Sequence, residues 1–214
     1  MRAVIFDMDG VIFDSERLVC ALWVELGAKY GFSDVWTPYR QVIGVNAAQA
    51  RATFLDFYGP DFPYDRLKEE QSRLYHARYD GGRLPLKSGV RPLLEALEAA
   101  GVYTALASST RTEVVEGQLR NAGLRPFFSR VVGGDQVQKS KPEPDIFLRA
   151  LAGTDIAPGE TVVIEDSFNG IRAAHRAGMR PVMVPDLLAP DEEMKNLAEV
   201  ILDDLCQVQI YLGL

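Results

Sequence analysis

The sequence predicts an α/β fold, in which helices cover both faces of a parallel sheet and an all-helical insertion interrupts the chain. The first observation is that short apolar runs alternate with helical patterns in the later part of the chain. The second is that one apolar run, Ala3–Phe6, precedes a stretch without any convincing strand pattern. If that run joins the later sheet, residues 1–15 and 85–214 form the core and residues 16–84 form an inserted helical module.

The elements at the start of the chain follow from local patterns. A strand is predicted over 3–6, where four apolar residues end abruptly at Asp7. Ser15 is a favourable helix N-cap, and three leucines recur after it at helical spacing, so the first helix of the insertion is predicted to begin there. Two further helices are predicted over 47–57 and 64–79.

After a pair of glycines the rhythm changes to alternating helices and strands with short connections. This alternation favours a parallel sheet that is buried on both faces. Helices are predicted over 90–100, 112–121, 144–151 and 170–177, and strands over 102–107, 130–132, 161–164 and 181–184.

Composition excludes several classes of protein. The chain has 214 residues, of which 47% are hydrophobic, so it can bury a sizeable core and is not intrinsically disordered. Its formal charge of −7 and the lack of a basic run argue against nucleic-acid binding. Cys20 and Cys206 lack metal-ligand spacing and are expected to be buried in a reducing compartment. No apolar run is long enough to span a membrane, so we expect a cytoplasmic protein. For a chain of this size we expect a monomer or a weak homodimer.

Acidic residues follow two of the predicted strands. Asp7 and Asp9 follow the first strand, and Glu165 and Asp166 follow the strand over 161–164. Ligands of open α/β sheets bind beyond the carboxyl ends of the strands, where these side chains would meet. Four carboxylates there would repel one another unless a cation lies among them, and Mg²⁺ binds through few carboxylates together with water and a substrate phosphate. The sequence therefore predicts a Mg²⁺ site for phosphoryl transfer.

Hydroxyl groups and a lysine complete the predicted site. Taken singly, Ser108 and Ser109 fit a helix N-cap, and Lys141 fits a solvated surface charge. Taken together, they could hold phosphoryl oxygens while charge develops. The Asp7 carboxylate would then attack phosphorus to form an aspartyl-phosphate, and Asp9 would act as general acid and base.

The order of these motifs resembles that of the haloacid dehalogenase superfamily. The resemblance implies a Rossmann-like core with a helical cap inserted after the first motif, which would be residues 16–84. It also implies that Asp7 is the nucleophile and Asp9 the acid/base, and that the metal is bound by Asp7, by the Asp9 backbone carbonyl and by Asp166, assisted by Glu165. The motifs that carry it are Asp7-Met8-Asp9-Gly10-Val11, Ser108, Lys141-Pro142 and Glu165-Asp166-Ser167.

Within that superfamily, the chain looks most like the subgroup that holds β-phosphoglucomutase and small sugar-phosphate phosphatases. Mutases of this type carry an Arg where Ala47 stands and a His where Val19 stands, so both departures favour hydrolysis. The resemblance thus implies a Mg²⁺-dependent phosphatase for a sugar or polyol phosphate, with a β-phosphoglucomutase-type phosphomutase as the alternative. Gly44 and Asn46 lie in the cap loop that is best suited to close over and bind this substrate.

Two other activities are disfavoured by Asp9. Dehalogenases of this superfamily lack an acid at the second Asp position, whereas Asp9 is present here. A receiver-type signalling module also uses a strand-end Asp and a metal, but it lacks a large helical insertion and has no need of an acid/base.

Overall fold

The computed structural model describes residues 1–45 and 47–214, and within them six strands form one parallel sheet in the order β3-β2-β1-β4-β5-β6. Every neighbouring pair of strands is parallel, and β1 lies in the centre between β2 and β4. The predicted parallel α/β fold with a Rossmann-like core is confirmed. The strands are β1 (Ala3–Phe6), β2 (Tyr103–Ser108), β3 (Arg130–Gly133), β4 (Thr161–Glu165), β5 (Arg180–Met183) and β6 (Val200–Ile201).

Helices cover both faces of this sheet, because alternate residues of its strands point to opposite sides. Val4 and Phe6 of β1 pack into one hydrophobic cluster, whereas Ala3 and Ile5 pack into the cluster on the other face. The helices of the core are α5 (Val90–Ala99), α6 (Thr112–Asn121), α7 (Asp145–Leu151), α8 (Phe168–Arg176), α9 (Glu192–Leu197) and α10 (Leu205–Leu212).

Within residues 7–45 and 47–89, four helices lie between β1 and α5, in the range where the sequence predicts the cap. An aromatic cluster holds three of them together: the Trp23 ring lies 4.7 Å from that of Phe54 and 5.7 Å from that of Tyr64, measured between centroids. The boundaries 16–84 stay a prediction. The cap helices are α1 (Ser15–Tyr30), α2 (Trp36–Tyr39), α3 (Ala47–Tyr58) and α4 (Tyr64–Tyr79).

The two chain crossings between core and cap run side by side as a short antiparallel stem. Phe13 forms a β-bridge with Leu86, the Asp14 amide donates to the Pro85 carbonyl at 3.0 Å, and the Lys87 amide donates to the Ile12 carbonyl at 2.9 Å. The stem is also tied to the core, since the Lys87 ammonium group lies 2.6 Å from a buried carboxylate, Asp186, in the loop after β5.

Two local predictions are wrong. The N-cap of α1 is Asp14 rather than Ser15, because the Ser15 hydroxyl is used to donate to Asp9. Cys206 is exposed and Cys20 is only partly buried, so neither is the buried small hydrophobe that the composition suggested. Among the described residues, no helix combines the length and apolarity that crossing a bilayer requires.

Candidate active site

The site lies where the carboxyl ends of β1, β2 and β4 meet beneath the cap. Asp7 follows β1 directly, Ser108 ends β2 and Glu165 ends β4, and the parallel register brings the three ends to one edge of the sheet. A cavity of about 870 Å³ opens between this edge and the cap helices, and both Asp7 and Ser108 line it. This volume lies within the range of small-molecule binding sites.

A buried lysine joins two of the carboxylates. The Lys141 ammonium group donates to Asp7 Oδ1 at 2.5 Å, to Glu165 Oε1 at 2.6 Å and to the Ala107 carbonyl at 3.2 Å. The Lys141 side chain is 3% exposed, so it is not the surface charge that its sequence context alone suggests. Burial raises the pKa of Asp7 to about 8, although the Lys141 charge opposes that shift.

Glu165 is held in place through both of its oxygens. Oε1 accepts from Lys141, while Oε2 accepts from the backbone amides of Asp166 and Ser167 at 3.0 and 2.9 Å and from the Ser167 hydroxyl at 3.0 Å. Gly170 leaves room for this carboxylate, because a Cβ there would lie 1.8 Å from Oε1. Glu165 therefore positions Lys141 and the start of α8, and its predicted part in metal binding stays a prediction.

Asp166 is the carboxylate of this group whose negative charge is least balanced by nearby positive charge. It is buried, and burial together with the charges of Glu165 and Asp7 holds its pKa well above the usual range. Gly10 allows its close approach: the φ of Gly10 is +83°, and a Cβ there would lie 2.3 Å from Asp166 Oδ2. One oxygen each from Asp7, Glu165 and Asp166 lie within 4.8 Å of one another, which fits a cation site.

Asp9 is oriented by two hydroxyl groups. Ser15 donates to Asp9 Oδ1 at 2.6 Å, and Thr110 donates to Asp9 Oδ2 at 3.0 Å. Ser15 begins the first cap helix and Thr110 follows β2, so cap and core both fix this side chain. The sequence indicates Ser15 only as a helix cap and does not single out Thr110 as a partner of Asp9, because the partner of a hydroxyl group depends on tertiary contacts.

The two serines after β2 lie on the cavity wall. Ser108 is buried and its Oγ accepts from the Thr110 amide at 3.0 Å, whereas Ser109 is exposed. The N-cap residue of α6 is Arg111, so the serines are not helix caps. They are available to a ligand in the cavity beside Lys141.

Comparison with known proteins identifies the family. The family model described as haloacid dehalogenase-like hydrolase matches residues 4–184. This chain belongs to the haloacid dehalogenase-like hydrolases. It is 30% identical to Protein CbbY of Cereibacter sphaeroides, over 100% of this chain and 96% of the relative. It is 32% identical to a phosphorylated carbohydrates phosphatase of Thermotoga maritima, over 85% of this chain and 84% of the relative.

A solved structure is also similar to this hydrolase. It is a mutant of CbbY from Rhodobacter sphaeroides in complex with xylulose-(1,5)bisphosphate, and the TM-score is 0.78 at 29% sequence identity. The similarity covers 97% of this chain and 96% of that chain. It therefore includes the cap as well as the core of the hydrolase.

The cap loop of the hydrolase touches the core at Gly44. This residue lines the cavity with φ +74°, and a Cβ added there would lie 3.0 Å from the Ser167 Cβ. Its carbonyl accepts from Asn169 Nδ2 at 3.4 Å. The loop therefore rests on the residues that follow β4, while Asn46, the other predicted binding residue of the loop, lies outside the described residues.

Polar residues of the cap also face the cavity, and sequence reasoning missed them. Glu16 of α1 and Lys68 and Gln71 of α4 line it opposite the carboxylates of the core. The spacing of Lys68 and Gln71 predicts that they share one face of α4, but a polar helix face that is turned to solvent has the same pattern. Only the packing of the cap against the core distinguishes the two.

Proposed function

We propose that this hydrolase is a Mg²⁺-dependent phosphatase that hydrolyses a small sugar or polyol phosphate through an aspartyl-phosphate on Asp7. The observation that carries the proposal is a buried carboxylate, Asp7, that lines the cavity with Lys141 against one of its oxygens and Asp166 close by. The names of relatives support it: besides the phosphorylated carbohydrates phosphatase, a (DL)-glycerol-3-phosphatase of Arabidopsis thaliana is 31% identical over 94% of this chain.

The charges at the site fit a divalent cation. In the described part of the chain, three buried carboxylates (Asp7, Glu165 and Asp166) lie close together, and the ammonium group of Lys141 pairs with two of them, Asp7 and Glu165. The excess negative charge and the oxygen-only donors suit Mg²⁺, which the side chains of Asp7 and Asp166 and the Asp9 carbonyl would hold. Bound Mg²⁺ would neutralise charge on the substrate phosphate and favour the ionised form of Asp7.

The residues divide the reaction between them. Ser108, Ser109 and Lys141 bind the phosphoryl oxygens and place phosphorus next to the nucleophile. An oxygen of Asp7 forms a bond to phosphorus while the bond to the leaving oxygen breaks, and Asp9 gives that oxygen a proton. Asp9 then takes a proton from the water that hydrolyses the aspartyl-phosphate. The hydroxyls of Ser15 and Thr110 hold the Asp9 carboxylate for both steps.

Two cap positions favour release of phosphate over its return to the sugar. Val19 and Ala47 both line the cavity, at the positions where the mutases carry His and Arg. Neither side chain can bind a second phosphate group or hold a phosphorylated intermediate by charge. The hydrolase is accordingly expected to transfer the phosphoryl group to water.

The test is phosphate release from p-nitrophenyl phosphate and from a panel of sugar and polyol phosphates, with and without Mg²⁺. Asp7→Asn and EDTA should each abolish turnover, whereas Asp56→Asn, at an exposed carboxylate of α3, should retain it. Turnover that persists in both Asp7→Asn and EDTA would refute the proposal. Conversion of β-glucose 1-phosphate into glucose 6-phosphate without phosphate release, followed by ³¹P NMR, would instead establish the mutase.

Cytoplasmic location and a monomeric or weakly dimeric state belong to the same proposal. They agree with a substrate drawn from small phosphorylated metabolites. Size-exclusion chromatography coupled to light scattering tests the oligomeric state.

A further inference from the structure

The cap turns a polar helix face toward the reacting groups. Besides Tyr64 and Asp65 in the first turn, five residues of α4 line the cavity, and their spacing of three and one along the chain places them on one side of the helix. A face that packs against another part of a protein is usually apolar, so this one is unusual. Its residues are Lys68, Gln71, Ser72, Tyr75 and His76.

Glu16 of α1 stands beside this face as a fixed hydrogen-bond acceptor. Its Oε2 accepts from the Tyr39 hydroxyl at 2.6 Å, and Tyr39 itself is only 3% exposed. Within the described part of the chain, no side chain donates to the other carboxylate oxygen, Oε1. A rigid carboxylate with a free oxygen is suited to accept hydrogen bonds from ligand hydroxyls.

The basic side chains of this wall are mostly neutralised. Arg51 donates to both oxygens of Asp65 at 3.0 Å, and His76 lies 3.1 Å from Asp80. Lys68 is different, because its ammonium group donates to the amide oxygen of the buried Gln71 at 2.7 Å.

Among the described cap residues that line the cavity, Glu16 and Lys68 are therefore the charged groups outside an ion pair, and their charges are opposite. A second phosphate would bring nearly two negative charges, which are usually met by several cations or by Arg forks. Among these described cap residues, Lys68 would be the one cation to pair with a second phosphate group, and the Glu16 carboxylate would repel that phosphate. Neutral hydroxyl groups, by contrast, can donate to Glu16 and accept from Lys68.

We propose that Glu16, Lys68 and Gln71 recognise the neutral hydroxyl groups of the leaving alcohol, so that the hydrolase selects sugar or polyol monophosphates and rejects their bisphosphates. This inference rests on the proposed phosphatase function. The charged and polar groups of the cap would select the substrate, and the groups of the core across the cavity would transfer its phosphoryl group.

The test compares matched substrates in the complete chain with Mg²⁺ at pH 8, above the pKa of about 7 that burial gives Glu16. The pairs are glucose 6-phosphate against glucose 1,6-bisphosphate and fructose 6-phosphate against fructose 1,6-bisphosphate, with p-nitrophenyl phosphate as a reference without hydroxyls. For the better monophosphate, kcat/KM should exceed that of its bisphosphate by about 10-fold or more. Glu16→Gln keeps an acceptor for Tyr39 but removes the charge. It should lower kcat/KM for the monophosphate relative to the reference by about 10-fold, mainly through KM, and raise it for the bisphosphate.

Lys68→Met should weaken both members of a pair, because it removes a donor from each. Glu69→Gln is the matched control, at an exposed carboxylate of α4 that is not part of the cavity wall, and it should change no ratio. A bisphosphate that is hydrolysed as well as its monophosphate, or equal effects of Glu16→Gln on both, would overturn the inference. Loss of all phosphate release by the unmodified chain would instead overturn the proposed function, and the inference with it.

Discussion

Replacing Lys141 by Met tests how strongly the site depends on one buried charge. The substitution keeps the length and most of the volume of the side chain but removes its ammonium group. Two carboxylate oxygens, of Asp7 and Glu165, then lose a donor that now lies 2.5 and 2.6 Å away. Both are buried, with side-chain exposures of 10% and 0%.

Removal of one partner from a buried ion pair costs about 3–5 kcal/mol. For a chain of this size, that loss lowers Tm by about 6–20 °C. The loss should also depend on pH. Lys141 lowers the pKa of Asp7, which burial raises to about 8. In the variant the folded-state pKa is higher still, so Asp7 stabilises the fold while protonated, and this contribution is lost as the pH rises through that value.

The assay is urea unfolding of the unmodified chain and the variant at pH 6 and pH 9, in EDTA. At pH 9 the difference in the free energy of unfolding should reach about 3–5 kcal/mol, and at pH 6, where Asp7 is protonated in both proteins, it should be smaller by about 1 kcal/mol or more. Lys139→Met, at an exposed lysine two residues earlier, should change stability by less than about 0.5 kcal/mol. A loss below about 1 kcal/mol at pH 9, or one that is equal at both pH values, would refute the reasoning.

Three further substitutions probe other contacts. Thr110→Val removes a hydroxyl that donates to Asp9 at 3.0 Å, so kcat should fall by about 10-fold with little change in KM in steady-state assays; a change confined to KM would contradict the role. Gly10→Ala places a Cβ 2.3 Å from Asp166 Oδ2, so calorimetric titration should show Mg²⁺ affinity reduced by about 10-fold or more, and unchanged affinity would contradict it. Burial raises the pKa of Glu16 to about 7, above its unfolded value, so its stabilising contribution is complete below about pH 4.5 and is lost as the pH rises through 7. In urea unfolding, the free energy of unfolding of Glu16→Gln relative to that of the unmodified chain should therefore be higher at pH 8 than at pH 5 by about 1–3 kcal/mol. An equal difference at the two pH values would contradict the raised pKa.

The parallel sheet could be predicted because its strands are continuous apolar runs joined by short connections. β1 and β4 are buried along their whole length, and β1 has the bounds that the sequence predicts. β6 was missed, since its two residues at Val200–Ile201 are too few to show any periodicity. The helix α2 was missed for the same reason: a four-residue helix carries no repeat.

The charged groups of the candidate site could be predicted, because carboxylates that lie close together repel one another unless a positive charge is near them. Four acidic residues follow strands that end at the same edge of the sheet, so their meeting there follows from the fold class. Lys141 lies in the loop before α7, and its place beside them was expected because grouped carboxylates need a nearby positive charge. The direction of a hydroxyl does not follow in this way. As a helix N-cap, Ser15 would accept from a backbone amide, and only the packed structure shows that it donates to the Asp9 carboxylate instead.

The position of the polar face of α4 against the cavity could not be predicted from the sequence. Lys68 and Gln71 are three residues apart, which on its own describes any solvated helix. Whether that side of α4 meets water or substrate depends on how the cap sits over the sheet edge. Nothing within the helix encodes that placement.

The antiparallel stem has a consequence for how such chains can be rebuilt. Because the Asp14 amide and the Pro85 carbonyl are hydrogen-bonded at 3.0 Å, the chain leaves the core and returns to it at nearly one point. A turn of a few residues could join these ends, so the core does not need the cap to remain one continuous chain. The cap is thus attached as an exchangeable part: a different helical module with closely spaced ends could replace it while the carboxylates at the edge of the sheet stay in place.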